Sequence, residues 1–234
     1  MTGPIGAESL RPELAAAISD YTLFISLGYP VTGVLKLVGD RHRLSGTERN
    51  VLYRGVVSPR VAAARAGRRI ELPADVPQGA ALAVDGHNVL FTVVNYLQGR
   101  TAFISVDGYM RDAGNPARRL RAGADFERAV AELGACFRSF EAARIDVYFD
   151  EPVTYSKDHI GLARRLWTDL DGLSLHLVRS ADQELKKHPG DVLVTSDSTL
   201  IDASPVPIAD FARWIVVGRL GAQLPELGAY VGRG

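Results

Sequence analysis

Ala81-Leu82-Ala83-Val84-Asp85-Gly86-His87-Asn88-Val89-Leu90-Phe91 decides the fold class. A short apolar run ends on an acid, a glycine turns the chain, and a second apolar run resumes at helical spacing. That pattern reads as strand, tight turn, helix. Asp85 then stands at the C-terminal mouth of a strand, where open parallel sheets take their ligands and where an acid suits a cation or a metal-bound phosphate. Taken singly, Asp-Gly is also an ordinary turn pair. It gains weight because the construction recurs downstream.

Working outward, apolar strand-like runs at 80–84, 145–149, 173–178 and 192–195 alternate with helical patterns at 89–97, 126–140, 159–170 and 182–187. Strands separated by helices imply βαβ units and an α/β fold with a parallel sheet covered on both faces. Residues 101–106 can add a short edge strand. A last helix over 209–217 is expected to pack on the sheet through Phe211, Trp214 and Ile215.

Upstream the rhythm differs. A helix over 10–27 opens at Arg11-Pro12 and closes before Gly28, Tyr29-Pro30 breaks it, and apolar spacing continues over 31–38. Ser45-Gly46-Thr47-Glu48 fits a capping box and starts a helix to about residue 57, and Ser58-Pro59 opens another to about residue 66. Residues 71–79, with Pro73, Pro77 and Gly79, read as a linker. The expected division is an arginine-rich helical domain, 1–72, and an α/β domain, 80–234.

The 234 residues suffice for one large domain or one domain with a helical extension. No uncharged apolar run approaches the ~20 residues of a membrane span, and no basic-then-apolar leader opens the chain, so a cytoplasmic protein without a membrane partner is expected. The single Cys136 excludes an intramolecular disulfide and a Cys-rich zinc site. Net charge is zero, yet eight arginines between Arg41 and Arg69 face one acid, Glu48, so the rest of the chain is acidic. This asymmetry fits a basic surface for a polyanion, or equally a solvated helical face.

The later strands also end on acids: Phe149-Asp150-Glu151-Pro152, then Ser180-Ala181-Asp182-Gln183 just beyond Val178, then Val194-Thr195-Ser196-Asp197, with Asp202 following. Each acid alone has an ordinary role as a turn former or helix cap. Parallel strands would gather Asp85, Asp150, Asp182 and Asp197 at one edge, where like charges oppose ionisation. A divalent cation removes that conflict. Oxygen ligands without a Cys or His cluster favour Mg²⁺ or Mn²⁺ over zinc. The five histidines form no close ligand pattern, and neither a nucleophile elbow nor a Walker-type loop is present.

Val84-Asp85-Gly86-His87-Asn88-Val89, Phe149-Asp150, Ala181-Asp182-Gln183-Glu184-Leu185 and Val194-Thr195-Ser196-Asp197 together resemble the successive acidic motifs of PIN-like nucleases, especially their NYN branch, over roughly residues 80–217. Asp107-Gly108-Tyr109-Met110-Arg111-Asp112, Asp150-Glu151-Pro152-Val153 and Thr195 to Asp202 resemble more closely an uncharacterised prokaryotic family. In that family a helical domain of unknown function precedes a PIN-like one, and Asp40-Arg41-His42-Arg43-Leu44-Ser45 with Arg54-Gly55 look like the helical part.

The resemblance implies a Rossmann-like sheet of PIN-like type and metal-dependent phosphodiester hydrolysis, usually of RNA. Asp85, Asp150, Asp182 and Asp197 match the catalytic, metal-binding acids. Asn88 and Ser196 match supporting positions, with Thr195 or Ser196 placed to hydrogen-bond a metal-bound water. His87 stands where relatives often carry an aromatic residue. The insertion with Asp107, Arg111 and Asp112 lies outside the general PIN pattern and would add an acid and a phosphate-binding arginine to the pocket. Arg111, Arg118, Arg119 and Arg121, with Arg41, Arg43 and Arg54, would position phosphates. Two alternatives stand beside this one: a metal-dependent phosphoesterase acting on a nucleotide or small metabolite, and a non-catalytic module binding RNA or protein. A homo-oligomer is compatible with all three.

Overall fold

The computed structural model describes residues 10–114 and 120–232, and the chain divides into two compact units. Within the described residues the first takes 10–67, 99–114 and 222–232. It holds helices α1 (Pro12–Ser26), α2 (Val31–Arg41), α3 (Gly46–Gly55) and α4 (Pro59–Ala66). Pro12 opens α1 where an amide hydrogen is not needed. Leu14, Ala17, Ile18 and Tyr21 then recur at the three- and four-residue spacing that makes one buried stripe. The capping box at α3 forms as the sequence implies: the Ser45 hydroxyl accepts from the Glu48 amide at 3.3 Å, and Glu48 Oε2 accepts from the Ser45 amide at 2.8 Å.

Strands β2 (Ala102–Ile104) and β3 (Met110–Asp112) pair antiparallel as a separate ribbon. This corrects the expected edge strand over 101–106. The chain reverses at Gly108, with φ +82, and Ser105 and Tyr109 close the turn at 2.9 Å. The helical unit is discontinuous in sequence, because the ribbon and residues 222–232 fold with the helices. Phe103 and Leu227 join Leu14, Ile18, Tyr21 and Leu52 in one buried cluster. Gly55 makes the fit, since a Cβ there would lie 2.5 Å from both Leu227 and Phe103.

The second unit, 68–98 and 120–221 within the described residues, is α/β. Its strands are β1 (Ala81–Asp85), β4 (Arg144–Asp150), β5 (Leu173–Val178), β6 (Val192–Val194) and β7 (Ile208–Ala209). They form a five-stranded sheet in the order β5-β4-β1-β6-β7, every pair parallel. This is a Rossmann-like order. The chain runs outward from β1 through β4 to β5, then returns to the other side of β1 with β6, so the direction of winding switches between β1 and β6.

The helices are α5 (Gly86–Leu97), α6 (Ala124–Phe137), α7 (Ser156–Leu166), α8 (Ala181–Lys187), α9 (Ser198–Ala203) and α10 (Phe211–Arg213), the last continuing as a wider π-helical turn, Trp214–Arg219. The two-residue β7 occupies the start of the region expected as helix, which begins only at Phe211. α5 leaves β1 without a loop, and Gly86 permits this, since a Cβ there would stand 2.9 Å from the Tyr148 carbonyl. Val89, Leu90, Val93 and Val94 are buried on α5, which packs against β4 and α6, and Phe126, Val130, Leu133 and Phe137 are buried on α6, which packs against α5 and α7. No described helix is long and apolar enough to cross a membrane.

Candidate functional site

Every strand of the inner sheet delivers a polar residue to its C-terminal edge. Asp85 is the last residue of β1, and Asp150 the last of β4. Asp182 lies in the first turn of α8 beyond β5, and Thr195-Ser196-Asp197 follow β6 directly. Alternation along a strand follows a period of two, but the rim needs no alternation, because Asp85 and Asp150 end their strands and Asp182 and Asp197 follow theirs within four residues.

Asp85 is 4% exposed. Its Oδ1 accepts from the Asn88 amide at 3.3 Å, and its Oδ2 from the Thr195 hydroxyl at 3.1 Å, a bond that spans the β1–β6 switch point. Asn88 Oδ1 in turn accepts from the Ser196 amide at 2.9 Å and the Ser196 hydroxyl at 3.0 Å. Asp197 caps α9 by accepting the Thr199 and Leu200 amides at 2.8 and 3.2 Å, and its own amide donates to Thr195 Oγ1 at 3.0 Å. One network of neutral donors therefore joins Asp85, Asn88, Thr195, Ser196 and Asp197.

The charges tell where the acids stand relative to one another. Burial first, and after it the charges of Asp182, Asp197 and Asp150, together raise Asp85 to about 8 against the lowering effect of the Asn88 amide. Asp182 is raised by burial and then by Asp197 and Asp150. Among the described residues Asp182 has neither a hydrogen-bond donor nor an ion pair within the rim. Asp150 differs. Burial opposes its charge, but the carboxyl is held below its ordinary value, with the Ala181 amide donating to Oδ1 at 2.7 Å.

Two histidines that the sequence pattern left unassigned brace Asp150. His87 Nδ1 accepts from the Asp150 amide at 3.1 Å and lies 3.6 Å from Asp150 Oδ2. Its Nε2 meets His159 Nδ1 at 3.3 Å, and His159 Nε2 reaches the Leu120 carbonyl at 2.9 Å. A carbonyl only accepts, so the network assigns His159 a proton on Nε2, and His87 then donates from Nε2 as well. Both rings are buried, packed with Phe91, Phe126 and Phe149. Burial lowers His159 to about 4. A separation of 72 residues leaves no local motif that would pair the two histidines.

The remaining expected residues divide. Asp202 is exposed on α9. Asp107, Arg111 and Asp112 belong to the helical unit and pair within it. Arg111 grips Asp107 through two nitrogens at 2.6 and 3.0 Å, contacts the Ser105 hydroxyl, and shares Asp107 with Arg65 at 3.2 Å. Arg111, expected to bind phosphate, is engaged in this internal ion pair. Arg54 lies 3.4 Å from both Asp112 and the Gly114 carbonyl. Arg41 is exposed 3.5 Å from Asp20, and Arg43 is exposed with φ +49. Arg121 is exposed beside Tyr155, and Arg118 and Arg119 lie outside the described residues.

The donor set at the rim is all hard oxygen, the type a hard cation takes, and Asp85 and Asp182 are raised first by burial and then by the neighbouring carboxylates. Among the described residues no three acid or histidine side chains converge as a ready-made coordination sphere.

A family model described as a domain of unknown function (DUF5616) matches residues 75–213. A second, described as a protein of unknown function (DUF434), matches residues 13–68. An uncharacterised protein of Methanocaldococcus jannaschii is similar at 25% identity over 194 residues, 81% of this chain and 89% of its own. No solved structure matches.

Proposed function

Since the chain belongs to the DUF5616 family of domains of unknown function, we propose its function from the rim itself: metal-dependent hydrolysis of phosphodiester bonds, of PIN-like type, with RNA as the substrate and Mg²⁺ or Mn²⁺ as the ion. One observation carries it. Asp85, buried at the topological switch point, is raised to about 8 by burial and by three neighbouring carboxylates, an arrangement that a cation would stabilise and that the described protein residues leave uncompensated.

Asp85, Asp150, Asp182 and Asp197 would hold the ion directly or through its waters. When bound, it lowers the pKa of water and offsets the charge that builds on the phosphate. The chain's own groups supply the rest. Thr195 and Asn88 fix both oxygens of Asp85 and the loop after β6. His87 fixes the Asp150 backbone from behind, and the Ala181 amide fixes its Oδ1. The carboxylates are thereby oriented before any substrate arrives.

The test uses two readouts. Mn²⁺ or Mg²⁺ should raise the melting temperature of the wild type, by the linkage between binding and folding, and should support cleavage of single-stranded RNA. Asp85→Asn and Asp182→Asn should each lose the thermal shift and reduce cleavage by at least about a hundredfold. A thermal shift without cleavage would leave a metal-binding module; neither effect in the wild type would sink the proposal.

A further inference from the structure

Five residues beyond Asp150 the chain takes a conformation that bulky residues rarely adopt: Tyr155 has φ +69, in the left-handed region. A glycine would take this turn without strain. What the tyrosine adds is its ring. Arg121 Nε donates to the Tyr155 hydroxyl at 3.1 Å, and the guanidinium carbon lies 5.3 Å from the ring centre. Those two distances place the guanidinium at the hydroxyl end rather than flat over the ring. Among the described residues no other aromatic ring packs on Tyr155, and no carboxylate neutralises Arg121, which is exposed.

This pair is tied to the acidic rim through buried groups. The Leu120 carbonyl, next to Arg121 in the chain, accepts from His159 at 2.9 Å. His159 lies one helical turn after Tyr155 in α7, with its amide bonded to the Tyr155 carbonyl at 3.0 Å. From His159 the chain of contacts runs through His87 to Asp150. An aromatic face and an unneutralised cation are thus held in fixed register with a carboxylate of the rim.

We propose that Tyr155 and Arg121 form a nucleotide subsite flanking the rim, the ring stacking on an unpaired base of a single-stranded nucleic acid and the guanidinium binding the adjacent phosphate. A base in a duplex has both faces covered by its neighbours, so only a single strand can use this ring. The placement beside a hydrolytic centre rests on the function proposed above; the binding itself does not.

The experiment measures fluorescence anisotropy of a fluorescein-labelled single-stranded RNA of about twelve nucleotides, with Mn²⁺, on an Asp85→Asn background that holds cleavage off. Tyr155→Ala should weaken binding at least about fivefold, and Tyr155→Phe should change it less than about twofold, because stacking needs the face and not the hydroxyl. Tyr155→Gly should weaken binding as much as Tyr155→Ala while relieving the backbone, which separates loss of the ring from misfolding. Arg121→Gln should lower the slope of log affinity against log salt by about one. Binding unchanged in Tyr155→Ala and Tyr155→Gly, duplex bound as tightly as single strand, or no single-strand binding by the parent would each overturn the subsite. Wild-type cleavage with an unaltered KM in Tyr155→Ala removes the subsite and leaves the hydrolase. Loss of binding in Tyr155→Ala with no cleavage by the wild type does the reverse.

Discussion

Asp85 in the α/β unit and Asp107 in the helical unit are both almost fully buried, 4% and 1% exposed, yet they are driven in opposite directions. Burial opposes the charge of each. At Asp107 it is overcome by hydrogen bonds and charge from Arg111, then by Ser105 and Arg65, and the carboxyl is held below its ordinary value. At Asp85 an amide and a hydroxyl are the donors among the described residues, and three more carboxylates add to the effect of burial. Burial alone therefore does not say what a carboxylate is for. An acid enclosed with arginines is already neutralised and serves the fold, whereas an acid enclosed among acids is stabilised by a charge from outside.

The largest effect should come from breaking the neutralised cluster. Arg111→Ala leaves Asp107 buried with only Arg65 against it and is expected to cost about 3–5 kcal/mol in denaturant unfolding. A cost below ~1 kcal/mol would mean that the pair is dispensable and that the contrast with Asp85 is not one of partners.

The next effect is a pH dependence with two opposing parts. Asp85 titrates near 8 when folded against 3.8 when unfolded, so the folded state keeps a proton the unfolded chain gives up, and stability falls as pH rises through that interval. His159 titrates near 4 when folded against 6.5 when unfolded, so its contribution rises over that window and is complete above it. The two offset each other between about pH 4 and 6.5. From about pH 6.5 to 8 the fall from Asp85 acts alone, about 2 kcal/mol over that span in a chelating buffer. Asp85→Asn should abolish the fall and leave the rise. Chemical denaturation from pH 5 to 9 reads both, and wild-type stability that is flat from pH 6.5 to 8 would contradict the environment assigned to Asp85. Mn²⁺ at pH 8 should recover the loss in the wild type and do nothing for Asp85→Asn.

Much of this contrast was half legible in the chain. The parallel α/β sheet follows from apolar runs that alternate with helical spacing, and the acids at its edge follow from where those runs stop, at Asp85, Asp150 and Val194-Thr195-Ser196-Asp197. The capping box at Ser45 and Glu48 is local and forms as its residues dictate. What stayed hidden is non-local. Asp107 and Arg111 are four residues apart, but across a ribbon turn rather than along a helix, so charge alone suggested a ligand site where geometry makes an ion pair. Phe103 and Leu227 carry no sign in sequence that they would meet at Gly55. β7, two residues long, is too short for any periodicity. The His87–His159 contact joins two helices 72 residues apart, and neither residue sits in a ligand-like motif.

The smallest effect tests whether neutral donors really are all that hold the rim. Thr195 Oγ1 donates to Asp85 at 3.1 Å and accepts from the Asp197 amide at 3.0 Å, so its hydroxyl links two acids without contributing charge. Thr195→Val keeps the shape and removes both bonds. Because Asp85 already favours its protonated form near neutral pH, losing a neutral donor should cost only about 1 kcal/mol at pH 7. It should also push Asp85 further up, so that the fall in stability extends to higher pH than in the wild type. A penalty as large as that of Arg111→Ala would mean that Asp85 is held as a charge by this hydroxyl, and the rim would then be self-sufficient in the way the Asp107 cluster is. A small penalty with the shifted window keeps the two clusters apart: one neutralised by its own arginines, the other held by neutral donors among like charges.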